Sequence, residues 1–301
     1  MRHSTYFRFG YLFLTLALWS LLFSCQKDPE TTPPVESNVK FLGHKGSGSS
    51  SINPAYIENT LPAVQKGLET LSGVELDLQM SLDGTLWLFH DTNMATSSCS
   101  PMTFKTIILS SDADISKIKI CTSKAQERIW RLSEILSYWN QAANPFYLSI
   151  HIKLDFPADS MNKPAIGGEA LYLAKMADNL AKILPSVKAP GKIILEVYDA
   201  TFCKRIHQLI PGIKVCLIKE VTFPKQVSDA LALGYDGVSC IFSESTLSAA
   251  EIAKAQSNGL LVQLWTPDSK AELDKTHNLL PDFIQTNNLN APSDLNLIVK
   301  K

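Results

Sequence analysis

Several common functional signatures are missing from this chain of 301 residues. It has six cysteines but no CxxC pair, so a zinc site made of cysteines is not predicted. No GxGxxG follows the first predicted strand, so nothing indicates a dinucleotide-binding fold. The 28 basic residues are balanced by 29 acidic ones, whereas a nucleic-acid-binding protein usually has a basic excess. We therefore predict no nucleic-acid partner, while a small anionic substrate stays open.

An apolar run from Tyr11 to Phe23 follows the basic residues Arg2 and Arg8. The run is too short to span a bilayer comfortably, and a basic start before an apolar stretch is typical of a signal peptide. It ends in Leu22-Phe23-Ser24-Cys25, which resembles the lipobox of bacterial lipoproteins. In such proteins a peptidase cuts before the cysteine, which then carries lipid chains that anchor the protein to a membrane. The alternative is an ordinary secretory signal in which Cys25 is incidental.

The sequence divides into three segments. Residues 1–24 form the predicted signal peptide. Residues 25–38 are polar and contain several prolines, so we predict that they join the lipidated Cys25 to the rest of the chain as a flexible tether. Residues 39–301 are predicted to form one folded domain. We expect an exported bacterial lipoprotein that is anchored to a membrane and faces the periplasm or the cell surface.

Five cysteines remain after Cys25, and an odd number means at least one free thiol or an intermolecular bond. Cys99 and Cys121 flank an irregular segment and can pair in an oxidising compartment. Buried free thiols fit the same sequence equally well. The sequence therefore leaves this disulfide open.

Short apolar runs alternate with longer amphipathic patterns from Val39 onward. Strict alternation of strands and helices indicates an α/β fold with a parallel sheet. Eight such units in about 250 residues favour a closed (β/α)8 TIM barrel, with an open doubly wound sheet as the alternative. Asp83-Gly84 lies between two extended runs, which predicts a small β-hairpin after the second strand.

Polar side chains follow three of the predicted strands. His44 comes directly after the first strand, and Glu75 and Asp77 lie two residues apart on the second. His151 and Lys153 lie two apart on the third, so each pair shares a face. Because active sites of such barrels lie at the carboxyl ends of the strands, we expect these side chains to meet there.

The hairpin returns the chain to His90. A two-residue turn at Asp83-Gly84 would place Asp77 opposite His90. Two carboxylates on one face suit a divalent cation such as Mg²⁺ or Ca²⁺. Two histidines nearby can act as general acid and base, and lysines can offset the charge of a phosphate. The pattern predicts cation-assisted phosphoryl transfer.

A set of short motifs makes the resemblance to a known family specific. The chain resembles the glycerophosphodiester phosphodiesterase family, which belongs to the phospholipase-C-like phosphodiesterase TIM barrels. The family's motifs are HRG, ENT, ExD and a DG turn followed by HD. Their counterparts here are Gly43-His44-Lys45-Gly46, Glu58-Asn59-Thr60, Glu75-Leu76-Asp77, Asp83-Gly84 and His90-Asp91, followed more loosely by Ile150-His151-Ile152-Lys153, Trp265-Thr266 and Gln285-Thr286-Asn287.

The resemblance implies a domain that hydrolyses glycerophosphodiesters, which are small molecules, to glycerol phosphate and an alcohol. It implies that His44 and His90 are the catalytic histidines and that a divalent metal is held by Glu75, Asp77 and the residue at the position of His151. It also implies contacts to the substrate. The residues expected to make them are Lys45, Asn59, Lys153 and, unless it packs inside the barrel, Trp265.

Three positions depart from the family pattern. Lys45 replaces the usual arginine and cannot form a bidentate fork with phosphate. His151 replaces the usual third carboxylate ligand, which removes a negative charge and suits Mn²⁺ or Zn²⁺ better than Mg²⁺ or Ca²⁺. Asn287 stands where the family often has aspartate. Glu196 would restore a carboxylate if strand parity turns it into the barrel.

The departures and the anchor leave two alternative functions open. One is a related barrel that cleaves intact lipid head groups at a membrane. The other is a binding protein that has lost catalysis, because both Lys45 and His151 differ from the family pattern.

Overall fold

Strands and helices alternate along the residues that the computed structural model describes, which are 33–100 and 106–299. The predicted signal peptide and Cys25 lie outside the described residues. The strands in chain order are β1 (Val35–Ser37), β2 (Lys40–Gly43), β3 (Gly73–Met80), β4 (Leu86–Leu88), β5 (Lys119–Cys121), β6 (Gln126–Arg128), β7 (Trp130–Arg131), β8 (Tyr147–Ile152), β9 (Ile193–Val197), β10 (Lys214–Ile218), β11 (Gly237–Ile241), β12 (Leu261–Trp265), β13 (Phe283–Thr286) and β14 (Leu297–Val299). The α-helices are α1 (Leu61–Gly67), α2 (Asp112–Ile115), α3 (Leu132–Gln141), α4 (Ala158–Met161), α5 (Glu169–Ile183), α6 (Ala200–Leu209), α7 (Phe223–Leu233), α8 (Ala249–Ser257), α9 (Lys270–His277) and α10 (Ala291–Asp294).

Eight parallel strands close into a barrel. They neighbour one another in the order β2, β3, β8, β9, β10, β11, β12 and β13, and β13 pairs with β2. Because the first and last strands are paired, this ring has no free edge. The predicted (β/α)8 TIM barrel is confirmed, and the open doubly wound sheet is excluded.

Side-chain caps determine where several of the helices begin. Thr60 starts α1, Asp199 starts α6 and Ser269 starts α9, each by accepting a hydrogen bond from a backbone N–H of the first turn. Helix α7 ends at Gly234, whose φ of 81° lies in the left-handed region that glycine adopts without strain. These local signals explain why the predicted alternation of elements agrees with the structure.

Strand β3 shows how the barrel separates apolar from polar side chains. Every residue of this strand is buried. Leu76 packs in the main hydrophobic core together with Trp139 of α3 and Met176 of α5. Alternate residues point to the opposite side, so Glu75 and Asp77 face the barrel interior. The strand therefore holds two carboxylates in a rigid, water-poor environment.

Strand β3 continues past the barrel wall and forms an antiparallel hairpin with β4, as the sequence predicts. The loop contains three residues, 82–84, because the Ser81 N–H donates to the Thr85 carbonyl oxygen at 3.0 Å. Gly84 closes the loop with a φ of 84°. A left-handed glycine at the end of a three-residue loop is a common hairpin solution.

The register of this hairpin differs from the predicted one. A two-residue turn would have placed Asp77 opposite His90. Instead Leu78 pairs with Leu88, and the Phe89 N–H donates to the Asp77 carbonyl oxygen at 3.1 Å. The prediction that Asp77 lies opposite His90 is therefore wrong, because the extra loop residue shifts the pairing by one position.

An insertion between β4 and α3 builds its own small core. Strands β5 and β6 pair in it, and its apolar cluster includes Met94, Ile115 and Ile129. A disulfide joins Cys99 to Cys121 across this insertion, with the two Cα atoms 5.6 Å apart. The pairing that the sequence left open is therefore formed.

Strand β1 pairs in parallel with β14 near the end of the chain. Strand structure is thus already present at Val35, four residues before the predicted start of the domain at Val39, because this pairing partner cannot be recognised from the N-terminal sequence. The other boundaries of the three-segment division stay a prediction. Among the residues that the structure describes, no helix combines the length and hydropathy needed to cross a membrane.

Candidate active site

A cavity of about 810 Å³ opens at the carboxyl ends of the barrel strands. The predicted site residues that line it are His44, Glu75, Asp77, His90, His151, Lys153 and Trp265. We call it the catalytic cavity. Lys45 and Asn59 instead line a neighbouring cavity of about 560 Å³. The barrel therefore gathers most of the predicted residues into one place and leaves two of them beside it.

Three side chains form a group that can hold a cation. Glu75, Asp77 and His151 each offer one ligand atom, and these atoms lie within 4.8 Å of one another. The pairing of β3 with β8 sets Asp77 beside His151, so that Asp77 Oδ1 is 3.5 Å from His151 Nδ1. The prediction that these three residues come together is confirmed.

The two carboxylates of this group differ in charge state. Burial, together with the charges of Asp77 and Glu196, raises the pKa of Glu75 well above its ordinary value. Burial also opposes ionisation of Asp77, but the hydrogen bond from His151 and the charges of His90 and Lys153 outweigh it and hold the pKa of Asp77 low. A divalent cation would relieve the repulsion between the two, so the donor set fits a metal.

His44 has one ring nitrogen fixed by a neutral partner. Its Nδ1 lies 2.9 Å from Asn287 Oδ1, while the Asn287 side-chain amide donates to Asp268 Oδ2 at 2.8 Å. The bond to Asp268 identifies the oxygen of Asn287 as the atom that faces His44, so Nδ1 must be the donor. Nε2 then carries the lone pair, and it points toward Glu75 Oε2 at 3.9 Å. Burial lowers the pKa of His44.

His90 has a charged partner instead. Its Nδ1 lies 2.8 Å from Asp91 Oδ1, and Thr96 donates to the other oxygen of Asp91 at 2.6 Å. The hydrogen bond from His90 is the main reason why the pKa of Asp91 is held below its ordinary value. The two histidines therefore differ in their partners, which are an amide oxygen for His44 and a carboxylate for His90.

Lys153 supplies a buried positive charge beside the carboxylates. Burial alone would lower its pKa, but the charge of Asp77 and the hydrogen bond to Asp155, at 2.8 Å, raise it. The ammonium group is therefore cationic at neutral pH and lines the catalytic cavity.

Lys45 contacts carboxylates with both its backbone and its side chain. Its N–H donates to Glu75 Oε2 at 2.9 Å, and its ammonium group lies 3.1 Å from Glu58 Oε1. The backbone of Lys45 thus helps to orient a candidate metal ligand, and its side chain is neutralised by Glu58. A contact between Lys45 and phosphate stays a prediction.

Asn59 holds Asp77 from two directions. Its side-chain amide donates to Asp77 Oδ2 at 3.0 Å, and its own oxygen accepts the Asp77 N–H at 2.8 Å. A φ of 62° aims the side chain of Asn59 this way, and asparagine tolerates that conformation better than most residues. This geometry makes Asn59 a positioning residue for the candidate metal site.

A family model for the glycerophosphoryl diester phosphodiesterases matches residues 44–291. The chain belongs to this family. The predicted enzyme class, a glycerophosphodiester phosphodiesterase, is thereby confirmed at the level of the family. No curated protein sequence matches the chain.

Solved structures agree with the barrel fold of this phosphodiesterase. A glycerophosphoryl diester phosphodiesterase from Silicibacter pomeroyi is 16% identical, with a TM-score of 0.72 over 88% of this chain and 94% of that one. A glycerophosphodiester phosphodiesterase from Parabacteroides distasonis is 15% identical, with a TM-score of 0.67 over 87% of this chain and 98% of that one. A phosphodiesterase from Oleispira antarctica, solved in complex with the product sn-glycerol-3-phosphate, is 17% identical, with a TM-score of 0.66 over 85% and 96%. At these identities the likeness shows the fold.

Glu196 points into the barrel of the phosphodiesterase, as strand parity suggests. Ser149 and Gln285 donate to its Oε1 at 2.7 and 2.8 Å, and Ser239 donates to its Oε2 at 2.6 Å. Both oxygens are thus occupied, and the candidate metal group does not include Glu196. The idea that it replaces the missing carboxylate ligand is not supported.

Asp268, which fixes Asn287, carries no local pattern that the sequence could have revealed.

The raised pKa of Glu75 predicts a stability effect in the metal-free protein. Its folded form retains a proton that the unfolded chain has released above about pH 4.3, so stability in EDTA falls as pH rises beyond that value. Glu75→Gln has no such proton to lose, and we expect it to raise the stability at pH 8 by roughly 1 kcal/mol or more, a few degrees in Tm. Thermal unfolding from pH 5 to 8 measures this.

Glu220→Gln is the matched control, because this exposed glutamate lines the same cavity. It should keep the pH dependence of the wild-type chain. An equally steep decline in Glu75→Gln would contradict the assignment.

Proposed function

We propose that the chain hydrolyses glycerophosphodiesters to glycerol phosphate and an alcohol, with a divalent cation held by Glu75, Asp77 and His151. The observation that carries this proposal is that His44 and His90 line the same cavity as the candidate metal group. They differ in hydrogen-bond partner, an amide oxygen for His44 and a carboxylate for His90, and acid–base catalysis of a displacement at phosphorus needs two such groups.

His44 is the general base in this proposal. Its Nδ1–H is held by Asn287, so Nε2 is free to take a proton from the nucleophile, which is either water or a neighbouring hydroxyl of the glycerol. Attack by water gives glycerol phosphate directly, whereas attack by the glycerol hydroxyl gives a cyclic glycerol phosphate that water opens in a second displacement. Burial lowers the pKa of His44, although the hydrogen bond to Asn287 opposes this, and so favours an uncharged ring before the reaction. The oxygen that loses its proton then forms the new bond to phosphorus.

His90 is the general acid. Its protonated ring, stabilised by Asp91, donates a proton to the alcohol oxygen as the bond between that oxygen and phosphorus breaks. Lys153 offsets charge on the phosphate. A bound divalent cation would draw further charge from the non-bridging oxygens. One proton enters at His44 and one leaves at His90, so the catalytic pair returns to its starting state after proton exchange with solvent.

This mechanism predicts the results of an activity assay. The purified protein should release glycerol phosphate from a panel of glycerophosphodiesters, glycerophosphocholine included, when a divalent metal is added, and EDTA should abolish the release. His44→Ala and His90→Ala should each lower kcat by about 10²- to 10⁴-fold. His207→Ala is the control, because His207 lies on α6 and pairs with Asp236.

Unchanged turnover in either catalytic variant would refute the acid–base assignment. Ligand binding without turnover under any metal would favour the binding protein instead.

The donor atoms of the candidate group would set its metal preference. An imidazole donor favours Mn²⁺ or Zn²⁺, whereas the two carboxylates also suit Mg²⁺ and Ca²⁺. We expect His151→Glu to shift the preference toward Mg²⁺ and Ca²⁺, because it adds a negative charge and an oxygen donor. Activity and calorimetric affinity with each of the four metals measure the shift. An unaltered order of metals would mean that His151 does not ligate.

A second candidate function is favoured by the shape of the catalytic cavity. Tyr198 and Ile241 are 44% and 41% exposed, although both are large hydrophobic residues, and both line the cavity together with Trp265. Such a wall suits an acyl chain on the glycerol arm. The same chemistry would then cleave lipid diesters that retain one acyl chain, which a membrane anchor would bring within reach.

We also propose that the chain is exported and anchored through Cys25. The disulfide between Cys99 and Cys121 supports export, because such bonds persist in oxidising compartments. In a bacterial host the wild-type protein should fractionate with membranes, and Cys25→Ser should not. Cys203→Ser is the control, since this buried free cysteine should leave the location unchanged. Intact-mass analysis that finds no lipid on residue 25 would reject the proposal.

A further inference from the structure

A second cavity, of about 560 Å³, adjoins the catalytic cavity, and His90 lines both. Its walls come from the loop after β2, residues 49–60, and from the insertion between β4 and α3. We call it the insertion cavity. A glycerophosphodiester has two arms on its phosphate, the glycerol and the leaving alcohol. Two cavities that share His90 can therefore each receive one arm.

The proposed roles of the histidines decide which arm lies where. His44 lines the catalytic cavity and not the insertion cavity. His90 protonates the leaving oxygen in the proposed mechanism, so the leaving alcohol lies on the side of His90. The apolar wall of the catalytic cavity is then left for the glycerol arm.

We propose that the insertion cavity binds the leaving alcohol of the diester and that this alcohol is an uncharged polyol, such as inositol, a sugar or glycerol. This inference rests on the proposed function and names its substrate class. The chemistry of the lining supports it in two ways, which are its charge balance and its supply of hydroxyl groups.

The charges of the insertion cavity cancel. Lys45 faces Glu58 across 3.1 Å, and His90 is paired with Asp91. Arg128 also lines the cavity, but its guanidinium is bound by Glu134 through two hydrogen bonds of 2.8 and 2.6 Å. No charged group on the described lining is thus left to select an ionic alcohol.

The aromatic content of the lining argues against choline. A quaternary ammonium is recognised by the faces of several aromatic rings. Among the described residues of this cavity, Phe89 is the one phenylalanine, and tyrosine and tryptophan are absent. Phe89 is itself only 7% exposed. The cavity therefore has no aromatic cage.

Hydroxyl groups are abundant instead. Eight of the described lining residues are serines or threonines. Several of them hold the loops in place, such as Thr122, which donates to the Pro54 carbonyl oxygen at 2.6 Å. Ser51 and Ser123 are exposed and can both donate to and accept from a ligand. A polyol presents the same paired donors and acceptors, so it can satisfy this surface without a charge.

The test compares three diesters that differ in the alcohol: glycerophosphoinositol, glycerophosphocholine and the methyl ester of glycerol phosphate. The full chain should show a kcat/KM at least about tenfold higher for the inositol than for the choline diester, which corresponds to one or two net hydrogen bonds. Ser123→Trp introduces bulk into the insertion cavity. It should lower the ratio of kcat/KM between the inositol and methyl diesters by at least about tenfold.

Ser257→Trp is the matched control, because Ser257 is exposed at the end of α8 and lines neither cavity. It should leave all three values unchanged. Equal or higher kcat/KM for the choline diester overturns the inference, as does a Ser123→Trp variant that slows all three diesters equally. Those outcomes differ from a failure of the proposed function itself, in which the wild-type protein would hydrolyse none of the three.

Discussion

The repulsion between two buried carboxylates on one strand is the constraint on which the site depends. Glu75 and Asp77 face the barrel interior because the apolar residues that alternate with them along β3 pack against the helices. Their ionisation is opposed by burial, so each needs fixed donors or a cation. Asn59 and the backbone of Lys45 supply the donors. This explains why the two short motifs between β2 and α1 both contact β3.

Much of the fold follows from periodicity alone. The alternation of strands and helices, the hairpin and the placement of His44, Glu75 and Asp77 at strand ends are all consequences of local patterns. The sequence does not determine the register of the hairpin, because Asp83-Gly84 fits both a two-residue and a three-residue loop. The longer loop shifts the pairing by one residue, so that Phe89 rather than His90 lies opposite Asp77. Only the tertiary structure decides between these loops.

The residues that position the site were harder to predict than the residues that form it. Asn59 matched a motif, but nothing in the sequence revealed that both of its side-chain atoms bind Asp77. Asp268 lies in a loop after β12 and acts on His44 only through Asn287. Such relays join side chains far apart in the chain, and a single sequence contains no record of their geometry.

The two histidines have different partners. Asn287 offers His44 an amide oxygen, which fixes the tautomer of the ring without adding charge. Asp91 offers His90 a carboxylate. An aspartate at position 287 would bring a second carboxylate to the histidines and make their environments more alike. The departure from the family pattern at this position therefore keeps the surroundings of the two histidines different, as the proposed mechanism requires.

Charge also connects the departure at His151 to the interior of the barrel. The imidazole removes a negative charge from the candidate ligands, and the strand register sets His151 directly beside Glu196. Glu196 places a carboxylate in the barrel interior beside His151, but its oxygens accept hydrogen bonds from Ser149, Ser239 and Gln285. Glu196 therefore has no free oxygen to offer a cation, and its charge adds to burial and to the charge of Asp77 in raising the pKa of Glu75. In the proposed site a cation would be held by Glu75, Asp77 and His151 and would be affected by Glu196 only through its charge.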